Sequence, residues 1–335
     1  MYNNPYENSC HIGEILKKNE EKNEIRKEAK YIGLAYLIMT VVGFSWSFVY
    51  IALAMRLGIS YNTAVAVFEE PALMHLLQIL LSITIFLFPF LIVVKNSARS
   101  SKEILAFGRP NGGLFLPMVL IGIGFCAFGN IATGAISNFF SFFGIELNSP
   151  KMENPDGVFG FLMVVISTAI VPALVEEFAV RGAVLGTLRR FGDGFAIIVS
   201  AIIFGLMHGN LVQMPFAFVV GLALGYAVVK TGSVWTGVVI HFINNFVSIL
   251  LDEFISSTGS VYFENAVGTV YYMVCLLCFF VGLLLMKKKE GSVLNLESAE
   301  MSLTPRERAK EFFCSPMIII CLVLTAIECI VYTVG

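Results

Sequence analysis

Charge is what this sequence has least of. Asp, Glu, Lys and Arg make up 14% of its 335 residues, and there are only 4 histidines and 2 tryptophans. A chain this poor in charge has no means of covering a soluble surface, since ordinary globular domains carry about 25% charged residues. Hydrocarbon fills the deficit: 57% of the residues are hydrophobic and the mean hydropathy is +0.81, the composition of an integral membrane protein. The first 30 residues, including "LKKNEEKNEIRKEAK", are polar and highly charged. They lack the apolar core and small-residue cleavage site of a secretory signal peptide, so the first span is expected to be retained. The 7 cysteines, several inside apolar runs such as "MVCLLCFF", do not form a secreted disulfide framework. Cys275 and Cys278 have CxxC spacing but read as packed small residues. No soluble domain, nucleic-acid motif, phosphate loop or regular repeat is visible, and a net charge of -2 says nothing of partners.

Long hydrophobic runs are what the sequence has in abundance. A span needs about 20 mainly apolar residues, and nine stretches approach that length, near 31–54, 72–94, 114–136, 158–188, 194–212, 213–230, 233–251, 267–286 and 317–334. The expected fold is therefore all-α, a polytopic membrane helix bundle of about nine transmembrane helices. The fourth stretch is too long for a perpendicular crossing and should tilt, break or protrude. The boundary between the fifth and sixth rests only on the neighbourhood of Pro215. Basic residues recur at every second connection: Lys17 to Lys30 before the first span, then Lys95, Arg99, Lys102 and Arg109, then Arg189 and Arg190, then Lys230, then Lys287 to Lys289. Acidic residues such as Glu69, Glu70, Glu146, Asp252 and Glu253 hold the alternate connections. Lys and Arg favour the cytoplasmic side, so the expectation is a multi-pass protein of the cell membrane with its N-terminus inside and its C-terminus outside. The segment "TPRERAKEFF" at 304–313 fits a short interfacial helix capped by Thr304 with Pro305 at its first position, or a solvated charged linker.

Ionisable groups inside spans are costly and face the protein interior, a partner or a water-filled cavity. "IVPALVEEFAVRGAVLG", residues 170–186, holds three of them. Glu177 and Arg181 are four residues apart, on one helix face, which suits an ion pair. Glu176 diverges from Glu177 by about 100° and needs another partner or water. "FGLMHGN" supplies Phe204 and His208, and "HFINNF" supplies His241, Asn244 and Asn245. With helix ends near 188, 194 and 233, Glu176, His208 and His241 lie roughly 18, 21 and 12 Å into the bilayer at about 1.5 Å per residue, so the three can meet. GxxxG pairs at Gly182/Gly186, Gly205/Gly209 and Gly221/Gly225 allow close helix approach, or reflect ordinary packing. Singly, each histidine or asparagine reads as a buried structural group. Together, two acids, a counter-cation, two imidazoles and an amide provide what amide hydrolysis by water requires: a base for the water and donors for the oxyanion. "FEEPALMH", with Glu69, Glu70 and His75, reads instead as a loop and helix start, Pro71 suiting a first turn.

At these residues the chain resembles the CAAX prenyl protease type 2 and bacteriocin-processing (CPBP, Abi) family of intramembrane proteases. "EEFAVR" matches EExxxR, "FGLMH" matches FxxxH and "HFINN" matches HxxxN, all within 176–245. The expected organisation is a cytoplasmic polar tail (1–30), N-terminal membrane helices (31–157), a membrane core (158–251) that the resemblance implies is catalytic, and C-terminal membrane helices with a linker (252–335). It implies that Glu176 and His208 activate the hydrolytic water, that His241 and Asn245 stabilise the oxyanion, and that Glu177 and Arg181 support them; Asn244 is not at the matching position. The expected partners are the lipid bilayer and a peptide or protein substrate at the membrane, with no nucleic acid. No cofactor is favoured. If zinc is used, Glu176, His208 and His241 would hold it, but the short motifs lack a HExxH helix, which favours a metal-independent reaction. Two other readings compete: an ion-coupled transporter, since buried acids and histidines also build cation paths, and a noncatalytic bacteriocin-immunity or binding protein on the same framework. Confinement of the strongest polar cluster to three stretches favours catalysis over transport.

Overall fold

The computed structural model describes residues 5–148, 152–256, 260–291 and 295–334. Among these residues there is no strand, and the chain is an all-α, polytopic membrane bundle. In order, the helices are α1 (Pro5–Arg56), α2 (Tyr61–Phe68), α3 (Pro71–Asn96), α4 (Ser101–Ile104) and α5 (Gly112–Phe142). They continue with α6 (Gly157–Phe191), α7 (Asp193–Leu206), α8 (Gln213–Thr231), α9 (Val234–Ser256), α10 (Val261–Glu290), α11 (Pro305–Phe313) and α12 (Pro316–Val334). Helix α5 packs along α8 and α10. Helix α8 also packs on α7, while α1 packs on α3 and α12.

Eight of these helices are long and apolar enough to cross a membrane, which corrects the count of nine. The difference is the fifth stretch. Its apolar run continues to residue 212, but α7 has 14 residues, about 21 Å at 1.5 Å each. Three residues stop it. Gly209 takes a φ of +63°, a left-handed conformation that side-chain-bearing residues rarely adopt. The His208 ring Nδ1 bonds the Phe204 carbonyl at 2.9 Å. Asn210, 2% exposed, accepts from the Gln213 amide at 2.9 Å and donates to the His208 carbonyl at 2.8 Å, so it ties the end of α7 to the start of α8. Hydropathy does not register these polar closures, and so the run looked like a full span.

Helix α6, the overlong fourth stretch, stays continuous for 35 residues but changes its winding. π-helical turns at Val165–Ile170 and Phe178–Leu185 flank an α-helical segment, Val171–Glu177, which ends on the two glutamates. Such wide turns inside α-helices recur at functional sites. Further along, Gly221 of α8 sits against the backbone of Ala201, the close approach its GxxxG spacing allows.

The basic connections gather on one face. The polar N-terminal segment does not trail away, because α1 runs unbroken for 52 residues and its charged half docks on the other connections. Glu21 accepts from the Ser302 and Leu303 amides at 2.9 and 3.0 Å. Arg26 pairs with Glu311 at 2.6 Å, Arg190 with Glu24 at 2.9 Å, and Lys230 with Glu290. Asp193 pairs with Arg189 at 2.8 Å and accepts from the Glu297 amide at 3.2 Å. Helix α11 forms as its sequence predicts: Thr304 and Glu307 make a reciprocal capping box and Pro305 starts the helix. Six cysteines among the described residues, including Cys275 and Cys278, are free thiols.

Candidate active site

Glu177 is the buried anchor of the site. Its side chain is 0% exposed, as is that of Arg181, and the Arg181 guanidinium donates to Glu177 Oε1 at 2.8 Å. The same oxygen receives His241 Nδ1 at 3.1 Å. Arg181 is held on two further sides. It donates to the Gly221 carbonyl at 3.2 Å, and its guanidinium lies 4.2 Å from the centroid of the Phe204 ring. Phe204 in turn stands edge-on to both imidazoles, 5.1 Å from His208 and 5.7 Å from His241. The FxxxH pair thus consists of a ring that orients both histidines and the arginine, with one of those histidines a turn later.

Glu176 faces away from that pair, as the angle between adjacent helical residues requires. Its carboxylate lies 4.0 Å from His241 Nε2, and its side chain is 15% exposed, opening onto a cavity of about 700 Å³. Glu176, His208, His241 and Asn245 all line this cavity. The four residues assigned from the motifs are therefore brought to one wall, while Glu177 and Arg181 stand behind it.

The hydrogen-bond partners fix the imidazole tautomers. A backbone carbonyl only accepts, so His208 Nδ1 carries the proton toward Phe204, and the lone pair of Nε2 is left for the cavity. The Glu177 carboxylate likewise holds the proton of His241 on Nδ1. His241 Nε2 can then donate only as imidazolium. His241 thus stands between the two acids, with Nδ1 on Glu177 and Nε2 toward Glu176.

Asn245 donates from Nδ2 to the carbonyl of Thr168, in the first π turn of α6, at 2.9 Å. An amide nitrogen has two hydrogens, so one remains. The Asn245 Oδ1 accepts from Asn244 at 2.9 Å. Asn244 lies on the cavity wall as well, and its contact with Asn245 is one that motif matching passes over. Gly237 is another. A Cβ there would sit 2.5 Å from Glu177 Oε2, so α9 can approach the carboxylate only because residue 237 is glycine. Gly237 lies one turn before His241 on α9, and nothing in the sequence marks what it faces.

The segment around His75 is the helix start expected of it: Glu70 caps α3 by accepting from the Leu73 amide at 2.7 Å, and Pro71 occupies the first turn. His75 itself is 1% exposed and pairs with Ser167 Oγ at 2.7 Å, linking α3 to the first π turn of α6. It does not line the cavity. As placed, Glu176, His208 and His241 do not group tightly enough to hold a metal ion, and neither does any other set of three such donors among the described residues.

Fold and site together give a helical membrane bundle with a cluster of acids, imidazoles and an arginine beside one internal cavity. Residues 158–247, which contain all three motifs, match the family model described as Type II CAAX prenyl endopeptidase Rce1-like. The chain is also 25% identical over 233 residues to "Putative membrane peptidase YdiL" of Bacillus subtilis (strain 168), an alignment covering 68% of this chain and 90% of that relative. No solved structure matches the chain. The match to the family model falls on the same stretch as the three motifs, in keeping with the resemblance they carry.

Proposed function

We propose that this protein is an intramembrane endopeptidase that hydrolyses a peptide bond in a membrane-associated peptide or protein. The observation that carries the reading is the convergence of Glu176, His208, His241 and Asn245 on one cavity, with Glu176 and His208 Nε2 left free as proton acceptors. Water held between them gives a proton to Glu176 as its oxygen attacks the scissile carbonyl. The negative charge that develops on the carbonyl oxygen is met by the remaining Asn245 N–H and by Nε2–H of the His241 imidazolium. The intermediate collapses by breaking the C–N bond, and the departing amine takes up the proton lost by the water. Glu177 and Arg181 do no chemistry in this scheme. They hold His241 in the donating form.

The direct test is to incubate the purified full chain, in detergent, with a library of internally quenched peptides. His241→Ala and Asn245→Ala are each expected to lower kcat by roughly 10²- to 10³-fold with KM little changed, since an oxyanion donor acts mainly on the transition state. Full turnover in both folded variants would remove the oxyanion assignment. Chelation by 1,10-phenanthroline is expected to leave turnover intact, because the donors are not grouped as a metal set. Activity that disappears with a stoichiometric zinc ion and returns with it would overturn this.

Orientation follows from the face on which the basic connections gather, which we assign to the cytoplasm. Reporter fusions after Lys289 and at Gly335 should then report opposite sides, since α12 lies between them. The same side for both would take α12 out of the membrane.

A further inference from the structure

Outside the matched segment, the last membrane helix carries an acid that the scheme above does not use. Glu328 of α12 lies among apolar neighbours in an otherwise hydrophobic span. Its Oε2 presses so closely on Gly209, the residue after His208, that a Cβ there would approach within 3.0 Å. It lines a second cavity, of about 410 Å³. This cavity shares Ile85, Phe86, Met207, His208 and Tyr332 with the cavity that holds Glu176, so the two meet around His208.

The charge pattern sets Glu328 apart. Glu177 has Arg181 and His241 as partners, and Glu176 faces His241. Among the described residues no Lys, Arg or His lies within ion-pair distance of Glu328. An acid held in a span without a counter-charge is costly, and such residues mark functional sites by default. Much of the second cavity suits the stem of a long cationic side chain: Phe44, Phe48, Phe86 and Tyr332 supply aromatic surface and Met39 and Met207 adaptable hydrocarbon, with the hydroxyls of Thr40 and Ser47 on the same wall.

We propose that Glu328 is a specificity-determining residue that binds the ammonium or guanidinium of a substrate lysine or arginine, in the cavity that meets the Glu176 cavity around His208. This rests on the peptidase reading and adds a substrate class to it: membrane-associated peptides that carry a cationic side chain beside the scissile bond. The cation supplies the charge the carboxylate lacks, and its stem lies along the aromatic wall. Because Glu328 is on α12, the preference belongs to this chain's C-terminal helices and not to the shared motif core.

The experiment uses two internally quenched peptides that differ only in lysine or norleucine next to the cleaved bond, with purified full chain in detergent. Wild type is expected to favour the lysine peptide in kcat/KM by roughly 10- to 100-fold, the range of a hydrogen bond to a charged group. In Glu328→Gln, similar in shape and checked for an unchanged melting temperature, that ratio should collapse to about one. Glu328→Lys should favour a glutamate peptide instead. Equal use of both peptides by wild type, or a ratio that Glu328→Gln leaves unchanged, overturns the proposal. Should wild type cleave neither peptide nor any member of the library, the peptidase reading falls, and Glu328 is decided separately by fluorescence anisotropy with the same peptides, labelled and unquenched. Tighter binding of the lysine peptide that disappears in Glu328→Gln upholds a cation site; equal binding overturns it.

Discussion

Replacing Glu176 by glutamine is expected to lower turnover by roughly 10²- to 10⁴-fold, the worth of a positioned general base, while leaving the melting temperature near that of wild type. The two halves of this expectation come from one observation. The 4.0 Å approach to His241 Nε2 is the ion pair of the Glu176 carboxylate, and its side chain opens onto the cavity. Glutamine keeps its volume and one carbonyl-type oxygen but cannot take a proton from water. Activity and thermal melting should be measured on the same preparation, in the same detergent. A stable and fully active Glu176→Gln enzyme would transfer the base to His208, whose Nε2 is also unprotonated toward the cavity.

Much of this site was readable from spacing alone, and the reasons it was readable also mark where reading stops. Four residues on a helix make a face, so the Glu177 to Arg181 pair and the divergence of Glu176 followed from the sequence. Helix ends that share a side of the membrane put Glu176, His208 and His241 at similar depth, and they do line one cavity. No spacing rule connects residues 64 apart, however, so the bond from His241 to Glu177 was invisible, and with it the tautomer of the imidazole. The π turns around Val171–Glu177 were hidden for another reason: they lie where α6 packs on α3, α7 and α9, and apolar composition is the same for wide and ordinary turns. Hydropathy overran the end of α7 because Asn210 and the His208 ring close the backbone with local bonds that an average over side chains does not contain. Glu328 escaped notice for the opposite reason. It is a single polar residue in an apolar span, belongs to no motif, and gains meaning only from the cavity beside it.

Glu177→Ala is expected to cost both stability and activity. Removing one member of a buried ion pair costs about 3 to 5 kcal/mol, because the other charge stays behind without compensation. Here the stranded charge is Arg181, whose side chain is 0% exposed; the Gly221 carbonyl and the face of Phe204 remain to it, but no anion at contact distance. The same substitution releases His241, since Glu177 Oε1 is its Nδ1 partner. The imidazole then loses the acceptor that sets its tautomer, and the donor aimed at the oxyanion is lost with it. Stability and turnover fall together for that reason, and a variant that moves the carboxylate without deleting it separates the two effects. Gly237→Ala does this. Its new methyl group would stand 2.5 Å from Glu177 Oε2, so the carboxylate must shift while Arg181 keeps its counter-charge. The expected order of melting temperature is wild type, then Gly237→Ala, then Glu177→Ala, with kcat reduced in both variants. If Glu177→Ala melts like wild type, the ion pair contributes nothing to the fold and Glu177 belongs among the reacting groups. If Gly237→Ala retains full kcat, the placement of His241 does not depend on the carboxylate behind it.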